Sequence, residues 1–135
     1  MIIVDTGPIV ALINSRDQHY RWARSTVRKI SEPMLTCDAA LSEALFLISS
    51  TPNGISRFSD ILASGAIQSD FATTANVREL AALIRKYQEL PMSFADACLV
   101  RLSEIHDGAT VLTIDSHFHI YRKNGNEPVP VVMPP

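Results

Sequence analysis

Three short apolar runs most limit what this chain can fold into: IIV at residues 2–4, MLT at 34–36 and ATVLTI at 109–114. The first is apolar throughout and does not alternate, so it reads as a strand buried on both faces. Helical patterns fill the intervals. Pro8 suits the first turn of a helix capped near Thr6 or Gly7. From about Asp17, Tyr20, Ala23, Val27 and Ile30 share one helical face and Arg21, Arg24 and Arg28 another, until Pro33. Asp38 is placed to cap a helix over DAALSEALFLISS, which TPNG breaks before a further helix in ISRFSDILASGA. Residues 68–71 suit a short extended piece. Val77, Leu80, Leu83, Ile84 and Tyr87 repeat at helical spacing within 75–89, and a last helix runs from about Ser93 to the Asp107-Gly108 stop. Residues 129–132, bounded by prolines, suit an edge strand. Short strands separated by helices imply an α/β fold with a short, mostly parallel sheet flanked by helices. No repeat, low-complexity run or linker divides residues 1–135, so one domain is expected.

With 135 residues, 47 % of them apolar, the chain is large enough for one core and too apolar for disorder. Asp5 interrupts the apolar start and no basic segment precedes it, so it reads neither as a signal peptide nor as a membrane span. Cys37 and Cys98 lie in alanine-rich, apolar surroundings. They read as buried thiols of a reducing cytosol rather than as a disulfide, and the expected location is cytoplasmic. The formal charge is -2, from 14 acids and 12 bases. Gathering four acids into one metal site leaves a mildly basic remainder, so net charge does not exclude an RNA ligand.

Most of the acids are explained by caps or solvated helix faces. Four need more. Asp5 and Asp115 each end a strand, where an Asx-turn is one explanation and a ligand site at the carboxyl edge of a parallel sheet is another. Thr113 precedes Asp115 by two and shares its face in a regular strand, where its hydroxyl is available to orient the carboxylate or hold a water. Glu43 lies among the helix formers of ALSEALFLI, and Asp96 is one turn into SFADACLVRL, a place that also welcomes a negative charge for its own sake. Two strand-end acids and two acids early on apolar helices would meet above one sheet edge. Such a group is costly unless positive charge is supplied, and no lysine stands at a strand end to supply it. Oxygen donors favour a hard cation, Mg2+ or Mn2+.

In this order, IIVDTGPIVALIN, LSEAL, SFADACLV and VLTIDSHF, with the closing TxDxxF pattern, resemble the PIN-domain family over nearly the whole chain, in particular its VapC-type toxin ribonucleases. The resemblance implies an acidic centre of Asp5, Glu43, Asp96 and Asp115, with Thr6 and Thr113 as polar support. It implies one or two Mg2+ or Mn2+ ions and hydrolysis of RNA phosphodiester bonds. A small cognate antitoxin covering the groove and a homodimer are implied as well. Several members carry a further acid where this chain has His117, and some carry a polar residue such as Asn where it has Gly7.

Arg21, Arg24 and Arg28 with nearby Lys29, and separately Arg122-Lys123, are candidate contacts for an RNA backbone, and Trp22 for a base or a protein partner. His117 and His119 share a face if the chain stays extended past Asp115, with His117 placed as an RNA contact more than as a metal ligand. Neither cysteine has a histidine partner in a recognisable arrangement, which disfavours covalent catalysis. Gly7, where a haloacid-dehalogenase-type phosphatase needs its second aspartate, speaks against that class. The competing reading is a catalytically inactive module that binds RNA or a protein.

Overall fold

At the centre of the molecule, β1 (Ile2–Val4) pairs in parallel with β2 (Met34–Thr36) on one side and β4 (Thr110–Leu112) on the other. β3 (Ile67–Ser69) extends the sheet beyond β2, and β7 (Val131–Val132) extends it beyond β4. The order is β3-β2-β1-β4-β7, all parallel, in a computed structural model that describes every residue from Met1 to Pro135. The chain is therefore an α/β protein of the expected kind. Its crossovers are helical: α1 (Thr6–Ile13) and α2 (Tyr20–Val27) after β1, then α3 (Asp38–Ile48) and α4 (Gly54–Ser64) after β2. α5 (Val77–Lys86) and α6 (Phe94–Ile105) lead from β3 back to β4.

Strand alternation sorts the core into two halves. Ile3, Leu35 and Val111 face one side, against Leu80 and Leu83 of α5 and Leu99 and Leu102 of α6. Val4, Met34 and Leu112 face the other, against Ile9 and Ile13 of α1, Ala44 and Ile48 of α3, and Phe58 of α4. Burial of each large side chain contributes about 1.5–3 kcal/mol relative to exposure, so strands this short are held by packing on both faces more than by their ladders. α6 is buried along most of its length. Gly108, at φ 78°, makes the reversal into β4 that a Cβ would disfavour.

Local chemistry corrects several expectations. The cap of α1 is Asp5, whose Oδ1 accepts from Thr6 N–H at 2.7 Å, not Thr6 or Gly7. Asp38 is the first residue of α3 and Cys37 its cap; the Asp38 carboxylate accepts from Ser69 Oγ instead. β3 begins at Ile67, the residue whose side chain is buried, rather than at Gln68. α5 enters through a 3-10 turn at Thr74–Asn76, and Val77 is exposed. β4 pairs with β1 only as far as Leu112. Beyond Asp115 the chain is not extended: Asp115 Oδ1 accepts from His117 N–H at 2.9 Å and winds Ser116–His119 into a 3-10 turn. His117 and His119 thus do not share a strand face. An unforeseen hairpin of β5 (Arg122–Lys123) and β6 (Glu127–Pro128) turns through Asn124 and Gly125, both at positive φ.

The connectivity positions the site. β1 leads outward to β2 and β3, and the chain then returns to the opposite side of β1 for β4. The β1/β4 junction is therefore a switch point, where open parallel sheets place ligands at their carboxyl ends. α3 starts at that edge because it follows β2. α6 brings its first turn there because it precedes β4.

Candidate functional site

At the switch point a cleft of about 410 Å³ is lined by Asp5, Glu43, Asp96 and Asp115, together with Thr6, Gly7, Ser93, His117, Leu47, Pro91 and Ile114. The four acids singled out in the sequence share one wall-to-wall hollow, and no lysine or arginine lines it.

Asp5 is the most tightly held. Its Oδ1 takes the Thr6 N–H bond, and its Oδ2 accepts from Thr113 Oγ1 at 2.7 Å. Thr113 was expected to orient the carboxylate of Asp115 or to hold a water. The register that pairs Val4 with Leu112 sets Thr113 beside Asp5, so its buried hydroxyl reaches Asp5 and accepts from Asp115 N–H at 3.0 Å. One hydroxyl therefore ties the ends of β1 and β4 together. Thr6 Oγ1 donates between Glu43 Oε2 and Ala40 O, each at 3.2 Å, linking α1 to α3.

Asp96 lies in the first turn of α6, whose cap Ser93 accepts its N–H at 3.0 Å. Its Oδ2 accepts from Tyr121 Oη at 2.7 Å. Asp115 Oδ1 also faces His117 Nδ1 at 3.5 Å. Glu43 Oε1, Asp96 Oδ1 and Asp115 Oδ2 take no hydrogen bond from the protein. They are the free donor atoms of the cleft.

Crowding acids out of water raises their affinity for protons. Burial pushes the Asp5 carboxyl from 3.8 up to about 6, opposed by its Thr113 bond and reinforced by the charge of Asp96. Asp96 is raised as well, first by burial, against the Tyr121 bond and with the charge of Asp115. Tyr121 is pushed well above the ordinary phenol by burial and by Asp96, so it stays a donor. A cleft of this kind favours a proton or a cation. No three His, Cys, Asp or Glu side chains converge into a preformed ion-binding group. The four acids nonetheless offer oxygen donors alone, with three atoms free and no lysine or arginine in the lining to compete. That chemistry fits a hard divalent ion.

The glycine at position 7 has a local explanation. A Cβ on Gly7 would lie 2.5 Å from Ile114 Cγ1, so Ile114 fills the space a polar side chain would take. His117 lines the cleft. The basic expectations fare unevenly. Arg21, Arg24 and Arg28 line their own exposed hollow with Tyr20 and Ser25. Arg122 and Lys123 are not a free basic pair. The Arg122 guanidinium donates to the carbonyls of His119, Ile120 and Tyr121, while Lys123 is buried. Trp22 is half-buried against the α1 and α4 side of the core and in edge contact with His19, which is a packing role. Cys37 and Cys98 are buried free thiols. No helix is long and apolar enough to cross a membrane.

The family model described as "PIN domain" matches residues 2–124. The crystal structure of Mycobacterium tuberculosis VapC20, a sarcin–ricin loop cleaving toxin, is similar in fold, with a TM-score of 0.75 at 19 % identity. The match covers 86 % of this chain and 91 % of that one. No curated protein matches the sequence.

Proposed function

This chain belongs to the PIN-domain family, and we propose that it is a Mg2+- or Mn2+-dependent endoribonuclease, the toxin of a toxin–antitoxin pair, with residues 1–135 as one nuclease domain. The observation that carries the reading is the meeting of Asp5, Glu43, Asp96 and Asp115 in one cleft with no lysine or arginine among its walls.

Asp5 and Asp96 are the residues to hold the first ion, because hydrogen bonds already fix both carboxylates. Glu43 and Asp115 complete the set and hold waters or a second ion. When bound, the divalent ion supplies positive charge to the scissile phosphate and lowers the pKa of the attacking water. Glu43 Oε1 and Asp115 Oδ2, free of protein bonds, are the two acceptors for that water's proton. Thr113 keeps Asp5 from rotating, and Thr6 does the same for Glu43. His117, on the rim, is a contact for a phosphate oxygen.

The surroundings favour the proposed partners. Leu47 forms an apolar wall of the cleft, and Leu45 and Phe46 on α3 and Ile55 and Leu62 on α4 are exposed nearby in sequence. An antitoxin segment with apolar side chains and an arginine suits this surface, the arginine entering the acidic cleft. The exposed residues of α4 and α5 suit a homodimer contact. A cytoplasmic location follows from the proposed RNA substrate and antitoxin.

The competing reading, a catalytically inactive RNA- or protein-binding module, is favoured by the lack of a preformed ion-binding group. One experiment separates the two. Purified wild type, Asp5→Asn and Asp96→Asn are incubated with a panel of RNAs, including a sarcin–ricin loop, under Mg2+, Mn2+ and EDTA. Metal-dependent cleavage by wild type alone is the expected result. Folded, metal-loaded wild type that cuts nothing in the panel would favour the inactive module.

A further inference from the structure

Tyr121 carries a link that the four-acid description leaves out. Its Oη donates to Asp96 Oδ2 at 2.7 Å, and its ring is wholly buried. Tyr87 and Phe118 clamp that ring edge-to-face, with centroids 5.1 Å and 5.2 Å away. Its backbone is fixed too: Tyr121 N–H donates to His117 O at 3.1 Å, and His117 N–H donates to Asp115 Oδ1 at 2.9 Å. An unbroken path of hydrogen bonds and covalent backbone thus runs from one acid, through Tyr121, to another.

We propose that Tyr121 is a positioning residue that sets the separation of Asp96 and Asp115 and leaves Asp96 Oδ1 unbonded for a divalent cation. The inference rests on the acidic-centre reading above. Without the hydroxyl, the Asp96 carboxylate loses the short bond at Oδ2 and keeps only the weaker influence of Ser93, and repulsion from Asp115 turns it away. Hydrogen bonds that orient metal-binding side chains typically account for about 10–100-fold in affinity. Tyr87 provides an internal control, since its hydroxyl accepts from Arg122 N–H at 2.7 Å and touches neither acid.

The test is Mn2+ binding to metal-free protein, followed by electron paramagnetic resonance, for wild type, Tyr121→Phe, Tyr87→Phe and Asp96→Asn. Tyr121→Phe is expected to weaken Mn2+ binding by about tenfold or more while Tyr87→Phe stays within twofold of wild type. Equal affinity in Tyr121→Phe and wild type, with Asp96→Asn strongly weakened, overturns the role of Tyr121 and leaves the acidic centre standing. Unchanged affinity in Asp96→Asn, or no Mn2+ binding by wild type, overturns the acidic-centre reading and this inference with it. A measurement on wild type covers the case in which Tyr121→Phe does not fold. The Tyr121 hydroxyl proton, assigned through its contacts to the Phe118 ring, is expected to shift in the NMR spectrum as Mg2+ is added. A resonance that stays in place while the Asp96 carboxyl carbon shifts counts against the proposal.

Discussion

Replacing Asp5 by Asn is expected to stabilise the metal-free protein at neutral pH while abolishing its proposed activity. Folding moves this carboxyl from 3.8 to about 6. The folded state therefore holds a proton that the unfolded chain has already released, and stability falls as pH rises between those values. Below the window both states are protonated and Asp5 costs nothing; above it the full penalty applies. A shift of about two units corresponds to roughly 3 kcal/mol, and solvent screens little of it because the side chain is 6 % exposed. Asn imitates the protonated carboxyl and avoids the penalty. In EDTA, Asp5→Asn is expected to exceed wild type by up to about 3 kcal/mol at about pH 7.5 to 8, and to match it at about pH 3. Urea unfolding followed by circular dichroism across that range measures the difference directly. Mg2+ at saturation is expected to raise wild type and leave the variant unmoved, closing the gap. A variant less stable than wild type at pH 8 without metal, or a gap that does not vary with pH, would refute the account of Asp5 as a desolvated, repelled carboxylate.

Thr113→Val keeps the shape of a buried side chain but removes the hydroxyl shared by Asp5 and Asp115 N–H; thermal unfolding is expected to report a loss of about 1–3 kcal/mol, and RNA cleavage a larger proportional loss than Thr6→Val. Gly7→Ala forces a methyl group against Ile114 and is expected to cost about 1–3 kcal/mol; Ile114→Ala in the same chain should recover most of it, and a failure to recover would mean that the backbone, not Ile114, sets the limit. Changing Arg21, Arg24 and Arg28 together to Gln is expected to flatten the salt dependence of RNA binding, by about two in the slope of log affinity against log salt if all three touch phosphates. Arg122→Met should instead lower stability and leave that slope unchanged, because its guanidinium already serves three carbonyls.

The sheet, its helical crossovers and the acidic cleft were legible because each announces itself over a few neighbouring residues. Asp5 and Asp115 stand where an apolar run stops, and Asp96 stands in the first turn of a helix whose neighbouring residues from Phe94 to Val100 are apolar. Exact caps were less legible, since Asp5, Thr6 and Gly7 all have the chemistry for the post, and only the seating of α1 against the sheet chooses among them. The 3-10 turn after Asp115 was misread because alternation describes strands alone; a carboxylate followed by two backbone donors competes with extension. The β5–β6 hairpin had a signal, Asn124-Gly125, which a reading centred on the acids passed over. Tyr121 had none. Its bond to Asp96 spans 25 residues, across the rest of α6, β4 and a 3-10 turn, and in sequence it is one more aromatic near Phe118 and two histidines.

The pairing of β1 with β4 also imposes a timetable. Asp5 is synthesised 108 residues before Thr113, which holds it in place. β4 in turn completes its pairing only with Val131 and Val132. A nascent chain still threaded through the ribosome thus carries the first acid without its clasp. The acidic cleft is therefore complete only once residues as far as Val132 have left the ribosome.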